Sequence, residues 1–403
     1  MKTTKIPFCR TIPDSWNEIP NRYLFEEHSF KVGEKSSEYQ LLSLTTSGVK
    51  EKDTSIVGGK TPESYDNYQT VEKGDMIFCL FDLDCSAVFS GLSNYNGMIT
   101  SAYDVFRPNP KYVEQHFLDY WFQYVFSNRY YKMYSKNIRY TVTREMFNGV
   151  STPVPPLAKQ KKIGEFLDQK CAQIDALILN QERQIEKLKQ YKQALITEVV
   201  TKGLDPTVPM KDSGVEWIGE IPEHWKIVRF RYLADITTGD QDTQNADPNG
   251  AFPFYVRSPN VEKSNSYTFE GDGILMAGDG AGAGRVFHFA SGKYAVHQRV
   301  YRFYNFKHID PALLKYYLEN MFCRVMDYGS AKTTVPSVRL PMIQNFCVCI
   351  PTSSEQNKIL AFLANKCAKL DTLIASISKK QWQLNQYKKS LIYEYVTGKK
   401  EVV

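Results

Sequence analysis

The apolar pattern divides the chain into two kinds of segment. In residues 155–201 the inward positions fall at Leu167, Cys171, Ile174, Ile178, Gln181, Ile185, Leu188, Lys192, Leu195 and Val199, in steps alternating four and three. That spacing is the heptad seam of a coiled coil, with Gln181 and Lys192 as polar breaks. Residues 351–397 repeat it at Leu363, Cys367, Leu370, Ile374, Ile377, Gln381, Leu384, Lys388, Leu391 and Tyr395. The first stretch predicts a helix from Leu157 to Thr201, ~65 Å long at 1.5 Å per residue. Pro155-Pro156 closes the strand before it and can open the helix. Gly203 and Pro206 end it, and Gly398 ends the second.

A single helix of that length with one apolar stripe needs a partner, and the second copy supplies one. Ile163, Phe166, Leu167, Ile174, Ile178, Ile185, Leu188 and Leu195 on one side are expected to pack against Ile359, Phe362, Leu363, Leu370, Ile374, Leu384 and Leu391 on the other, as a coiled-coil-like rod. The alternative is that each helix folds back on its own domain. The pattern leaves the polarity of the rod open.

The two stretches align without a gap at a constant offset of 196, and 21 of the 47 positions are identical. The repeat extends weakly upstream, where Ile12-Pro13-Asp14-Ser15-Trp16 matches Ile221-Pro222-Glu223-His224-Trp225. The middles differ strongly. Similar frames with dissimilar middles imply one shared task for the frames and two different targets for the middles. The linear division is therefore 1–154, a first variable domain; 155–206, a first long helix; 207–350, a second variable domain with its lead-in; and 351–403, a second long helix. Residues 1–13 lack the fuller lead-in of the second copy and are expected to be partly disordered.

Both middles predict mixed β structure. Glu72–Phe78 and Glu270–Met276 each read as a turn feeding a strand. The aromatic segments Tyr112–Phe126 and Pro311–Met321 predict helices, and each domain closes on a strand, Val150–Pro155 and Asn345–Pro351. The run Gly278-Asp279-Gly280-Ala281-Gly282-Ala283-Gly284-Arg285 forms no Gly-x-Gly-x-x-Gly and is followed by alternating residues, so a tight hairpin is expected rather than a dinucleotide loop. The fold class is α+β: two mixed α/β domains separated by two long helices, with a pseudo-two-fold internal repeat.

Charge then narrows the partner. The 403 residues carry a formal net charge of +6. Residues 107–144 hold seven Lys/Arg against two acids, and residues 285–339 hold nine against three. Two separate basic, aromatic-rich stretches suit two nucleic-acid surfaces. The candidate DNA-binding residues are Arg107, Lys132, Lys136, Arg139 and Arg144 in the first domain. In the second they are Arg257, Arg285, His297, Gln298, Arg299, Lys332, Thr333 and Arg339. Arg and Gln are base-edge readers of the major groove, and Lys, Ser and Thr suit phosphates.

No catalytic set is recognised. The chain lacks an Asn/Asp-Pro-Pro-aromatic tetrapeptide, since Pro155-Pro156 lies between Val154 and Leu157. Its eight cysteines form no C-x-x-C pair, and no metal site is expected. Cys347 and Cys349 are expected to share one core face. No signal peptide or ~18-residue apolar run is seen, which places the expected protein in the cytoplasm without a membrane partner.

Lys211-Asp212-Ser213-Gly214-Val215-Glu216-Trp217-Ile218-Gly219-Glu220-Ile221-Pro222-Glu223-His224-Trp225 resembles the sequence that introduces a target recognition domain in type I restriction–modification DNA specificity subunits. Ile350-Pro351, Glu355-Gln356, Ile359 and Phe362-Leu363 look like its exit into the family's conserved helix, and Tyr387–Ile392 resembles that helix's far end. The first copy has Lys159-Gln160 where Glu-Gln is usual. The resemblance implies that each domain reads one half of a bipartite, asymmetric site in double-stranded DNA, and that the helices set the unread gap. It also implies docking of two modification subunits, which bring S-adenosylmethionine to methylate adenine at N6, and of restriction subunits that use ATP. The chain itself would hold no cofactor and perform no catalysis. A stand-alone DNA methyltransferase and a protein-binding coiled-coil adaptor are the alternatives.

Overall fold

The computed structural model describes residues 1–52, 64–135, 139–329 and 336–402. They form two compact units, Met1–Glu182 with Lys379–Val403, and Arg183–Ser378. Each unit thus holds one variable domain, the start of one long helix and the end of the other, a grouping that cuts across the linear segments.

The long helices span Leu157–Lys202 and Ser353–Val396. Within each unit they run antiparallel. In the first unit the Lys388 ammonium donates to Asp175 at 2.7 Å, Gln381 donates to Glu182 at 3.0 Å, and the rings of Phe166 and Tyr395 lie 4.6 Å apart. In the second, Lys192 donates to Asp371 at 2.7 Å. Polarity is thereby settled, and the two expected packings prove complementary. Mid-helix seam residues Ile178, Ile185, Leu188, Ile374 and Leu384 are half-buried. The ends sink into the domains. Ile163, Leu167, Ile174 and Leu391 join the first unit's core, and Ile196, Val199, Ile359 and Leu363 join the second's.

The helices stop where glycine permits a left-handed residue, Gly203 at φ +80° and Gly398 at φ +68°. At the second stop the Lys399 N–H donates to the Glu394 carbonyl and the Gly398 N–H to Tyr395, a Schellman closure. Each glycine also lets a tryptophan close in. A Cβ at Gly398 would lie 3.0 Å from Trp16, and one at Gly203 would lie 3.2 Å from Trp225. The helix starts match as well. Gln160 donates to the carbonyls of Tyr112 and Pro155 and accepts from the Glu114 N–H, and Gln356 makes the same three bonds with His308, Pro351 and Asp310.

The dissimilar middles share a topology. In the first domain Phe25–Glu27, Asp104–Pro108, Met76–Phe78 and Ser90–Leu92 form an antiparallel four-stranded sheet in that order. In the second, Asp235–Thr238, Val300–Tyr304, Gly273–Ala277 and Phe287–Ala290 repeat the order and the antiparallel sense. The hairpin Leu42–Thr45/Gly48–Glu51 is matched by Phe252–Tyr255/Val261–Ser264, and the pair Gln69–Val71/Gly97–Ile99 by Phe269–Glu270/Lys293–Val296. Helices Gln115–Ser127 and Pro311–Gly329 cover equivalent places, over cores built from Phe25, Phe78, Phe122 and Phe147 in one domain and Phe230, Phe303, Phe322 and Phe346 in the other.

Three expectations change. Residues 1–13 are ordered: Lys2 pairs with Ile12 and Thr3 with Thr11, in the register of Lys211 with Ile221 and Asp212 with Glu220. Ile6, Cys9 and Ile12 anchor that hairpin by burial. The glycine run is a hairpin, but its loop is nine residues long, 278–286, rather than tight. Cys349 is buried, its thiol pushed up to about 12 by desolvation, whereas Cys347 is only half-buried.

Candidate nucleic-acid interface

In the second domain six of the sequence-selected residues gather around the glycine loop. The Gly278 N–H donates to the Arg299 carbonyl at 2.9 Å and the Gly280 N–H to Pro336 at 3.0 Å, while Val338 donates back to Gly278 at 2.8 Å. These bonds draw three chain segments together: the loop, the turn 297–299, and the stretch leading through Arg339 into helix Leu340–Gln344. Asp279 sits in the middle, its side chain 14% exposed. Its carboxylate accepts from the Arg257 guanidinium at 2.8 Å and from Arg299 at 2.6 Å. Burial alone would raise the Asp279 pKa, but the hydrogen bonds from Arg299 and Arg257 outweigh it and hold the carboxyl below its ordinary value. The Arg299 side chain remains 62% exposed. Arg257, Arg285 and Arg339 are also exposed.

Gln298 and His297 divide the turn's work. Gln298 is exposed and donates to Asp242 at 3.3 Å, while its backbone N–H is fixed on Gln241. His297, selected as a candidate DNA-binding residue, is a buried strut of the turn. It is 2% exposed, its Nδ1 accepts the Arg299 N–H at 3.0 Å, and its Nε2 lies 3.4 Å from Asp242. Burial, with the Arg257 charge behind it, pushes its pKa below the ordinary value. A neutral ring with an unprotonated Nδ1 fits that role.

The first domain treats its basic residues differently. Arg107 donates to Asp75 at 3.0 Å and to Glu72 at 2.6 Å, and the Asp75 side chain is 0% exposed. Arg144 is held by Asp104 and Glu27. Both arginines tie the sheet to its flanks. Arg139 is the more available, its side chain 80% exposed and 3.8 Å from Asp82, whereas Lys132 is half-buried, 3.5 Å from Asp84, with its ammonium 4.2 Å from the Tyr140 ring centre. Asp82 and Asp84 belong to the loop after Met76–Phe78, the counterpart of the glycine loop after Gly273–Ala277. Lys136, Lys332 and Thr333 lie outside the described residues.

The aspartates Asp75, Asp82, Asp84, Asp242 and Asp279 went unselected in the sequence, because acids count against DNA contact. Among the described residues no cluster of His, Cys, Asp or Glu is arranged to hold a metal ion, and no helix is long and apolar enough to cross a membrane.

Residues 222–386 match the family model described as type I restriction modification DNA specificity domain. The type I restriction enzyme EcoDI specificity subunit of Escherichia coli is 30% identical over 172 residues, 42% of this chain and 35% of that one. The MjaVIII specificity subunit of Methanocaldococcus jannaschii is 26% identical over 282 residues, 64% of each. The chain therefore spans between about a third and two thirds of the length of these relatives. A chain solved in work on complex assembly and conformational transition of the type I R-M system shares the fold, at TM-score 0.70 and 15% identity, over 96% of this chain and 98% of that one.

Proposed function

We propose that this chain, whose residues 222–386 match the type I restriction modification DNA specificity domain, is the sequence-reading subunit of such a complex. Each domain reads one half of a bipartite asymmetric site in double-stranded DNA, and the length of the shared helices sets the unread gap. The observation that carries this reading is the repeated topology: two domains of one fold with unlike side chains at equivalent loops, on a helix pair whose contacts repeat in both units. One fold with two surfaces suits two different half-sites.

The chain's own residues bind and orient DNA in the cytoplasm. Methyl transfer to adenine N6 from S-adenosylmethionine belongs to two docked modification subunits, and ATP-driven cleavage to restriction subunits. The test is genome-wide adenine-methylation mapping in a host expressing the full chain with a cognate modification subunit. A split motif is expected. A stable complex that methylates nothing would overturn the proposal.

A further inference from the structure

The glycine run Gly278–Gly284 forms no dinucleotide fingerprint, and the proposed function leaves it without a task. The structure supplies one. A Cβ at Gly278 would stand 2.9 Å from the Arg299 carbonyl, and one at Gly282 would stand 2.6 Å from the Arg257 carbonyl. The missing side chains therefore let the loop lie directly on the backbone of the two segments that carry those arginines. Between these close approaches, Asp279 takes one guanidinium nitrogen from each side chain, Nη1 of Arg257 and Nη1 of Arg299. Arg299 is fixed a third time through its own N–H on His297. Backbone, side chain and flanking residue are all held, yet the side chain is 62% exposed.

An exposed arginine is usually mobile and loses side-chain entropy when it binds. This one has lost much of that freedom before binding. A guanidinium engaged through one Nη1 still has Nη2 and Nε hydrogens in its planar fork, and that fork matches the O6 and N7 acceptors of guanine. The same fork fits a phosphate, but a phosphate contact carries no base identity, so the recognised motif separates the two.

We propose that Arg299 reads a guanine in the half-site of the second domain, with Asp279 as the positioning residue and the glycine loop as the clamp. The inference rests on the sequence-reading function above. Loss of a bidentate guanine contact relaxes discrimination at that base pair by roughly 10- to 100-fold.

The test uses the full chain with its modification subunit and maps methylated adenines for wild type, Arg299→Ala, Arg299→Lys and Asp279→Asn. Absence of any split motif in the wild type overturns the function and this inference together. With a split motif in hand, the second domain's half must contain a guanine that becomes degenerate in Arg299→Ala while the other half stays intact. Asp279→Asn should relax the same position more weakly. A half-site without guanine, or a methylation level that falls evenly with the motif unchanged, overturns the inference alone. If Arg299→Ala abolishes methylation altogether, Arg299→Lys decides. It keeps the charge and loses the fork, so degeneracy at the guanine supports the proposal, and an unchanged motif or no methylation overturns it.

Discussion

The two domains share a topology strand for strand, but they spend their arginines in opposite ways. In the first, Arg107 is turned inward onto Asp75, a carboxylate with no solvent exposure, and Arg144 is tied to Asp104 and Glu27. In the second, Arg257 and Arg299 stay at the surface and share the single carboxylate of Asp279. The difference teaches that a basic residue near an equivalent loop is not evidence of one role. What its acid partner leaves free decides whether it holds the fold or faces a ligand.

The largest expected effect breaks that comparison at its sharpest point. Arg107→Ala strands a buried carboxylate that also fixes the Glu72 N–H, at a cost of about 3 kcal/mol. Arg299→Ala removes an exposed side chain and leaves Asp279 on Arg257, so it should cost much less stability while altering recognition. Hydrogen exchange read peptide by peptide separates the units. Protection should fall across the first unit in Arg107→Ala and only around the glycine loop in Arg299→Ala. Equal loss in both variants would erase the distinction between tie and reader.

The frames offer a second contrast, between Glu355 and the residue at its repeated position, Lys159. Glu355 accepts from the Thr352 hydroxyl at 2.6 Å, the His224 ring at 2.9 Å and the Trp225 indole at 3.1 Å. Lys159 instead donates to Glu401 at 2.9 Å. Partial burial opposes the Glu355 charge, but the Thr352, His224 and Trp225 hydrogen bonds prevail and bring its pKa from 4.5 down to about 2. A carboxylate depressed in the folded state adds stability above its unfolded pKa, and that stability is lost as pH falls from about 5 toward 2. Glu355→Gln should cost about 1–2 kcal/mol at neutral pH. It should also flatten the acid-side loss in the second unit, so that wild type and variant converge near pH 2. Parallel decline of the two between pH 5 and 3 would sink the assignment.

How much of this was legible follows from what each feature needs. The long helices and their seam were open to reading, because a heptad period and a constant offset both survive in the order of residues. The common topology of the middles was hidden, since it is carried by burial at matched places, such as Phe106 and Phe303 in the two sheets, and not by identity. The ordered hairpin at residues 1–13 was missed because only its ends repeat, Met1-Lys2 and Ile12-Pro13 against Met210-Lys211 and Ile221-Pro222, while residues 3–11 differ from 212–220. The candidate site was half visible. Basic side chains can be picked out by type, but their partners are set by folding, and the aspartate inside the glycine run was the overlooked signal.

The seam's polar breaks give the smallest effect and the most direct reason for the helices' polarity. Asp175 and Asp371 occupy the same place in the repeat, as do Lys192 and Lys388. In a parallel pair with the repeats in register, aspartate would face aspartate and lysine would face lysine. Turned antiparallel, each lysine meets an aspartate, as Lys388 meets Asp175 in one unit and Lys192 meets Asp371 in the other. The ammonium groups sit at half-buried seam positions, where a wrong neighbour is costly, while the aspartates are largely exposed, which limits the gain. Each pair should therefore contribute about 0.2–1 kcal/mol. Asp175→Lys should lower the melting temperature slightly by setting two lysines together, and adding Lys388→Asp should restore most of the loss, because the pair is reversed and not removed. A double variant no better than the single one would mean that apolar packing alone chooses the polarity, with the charges as bystanders.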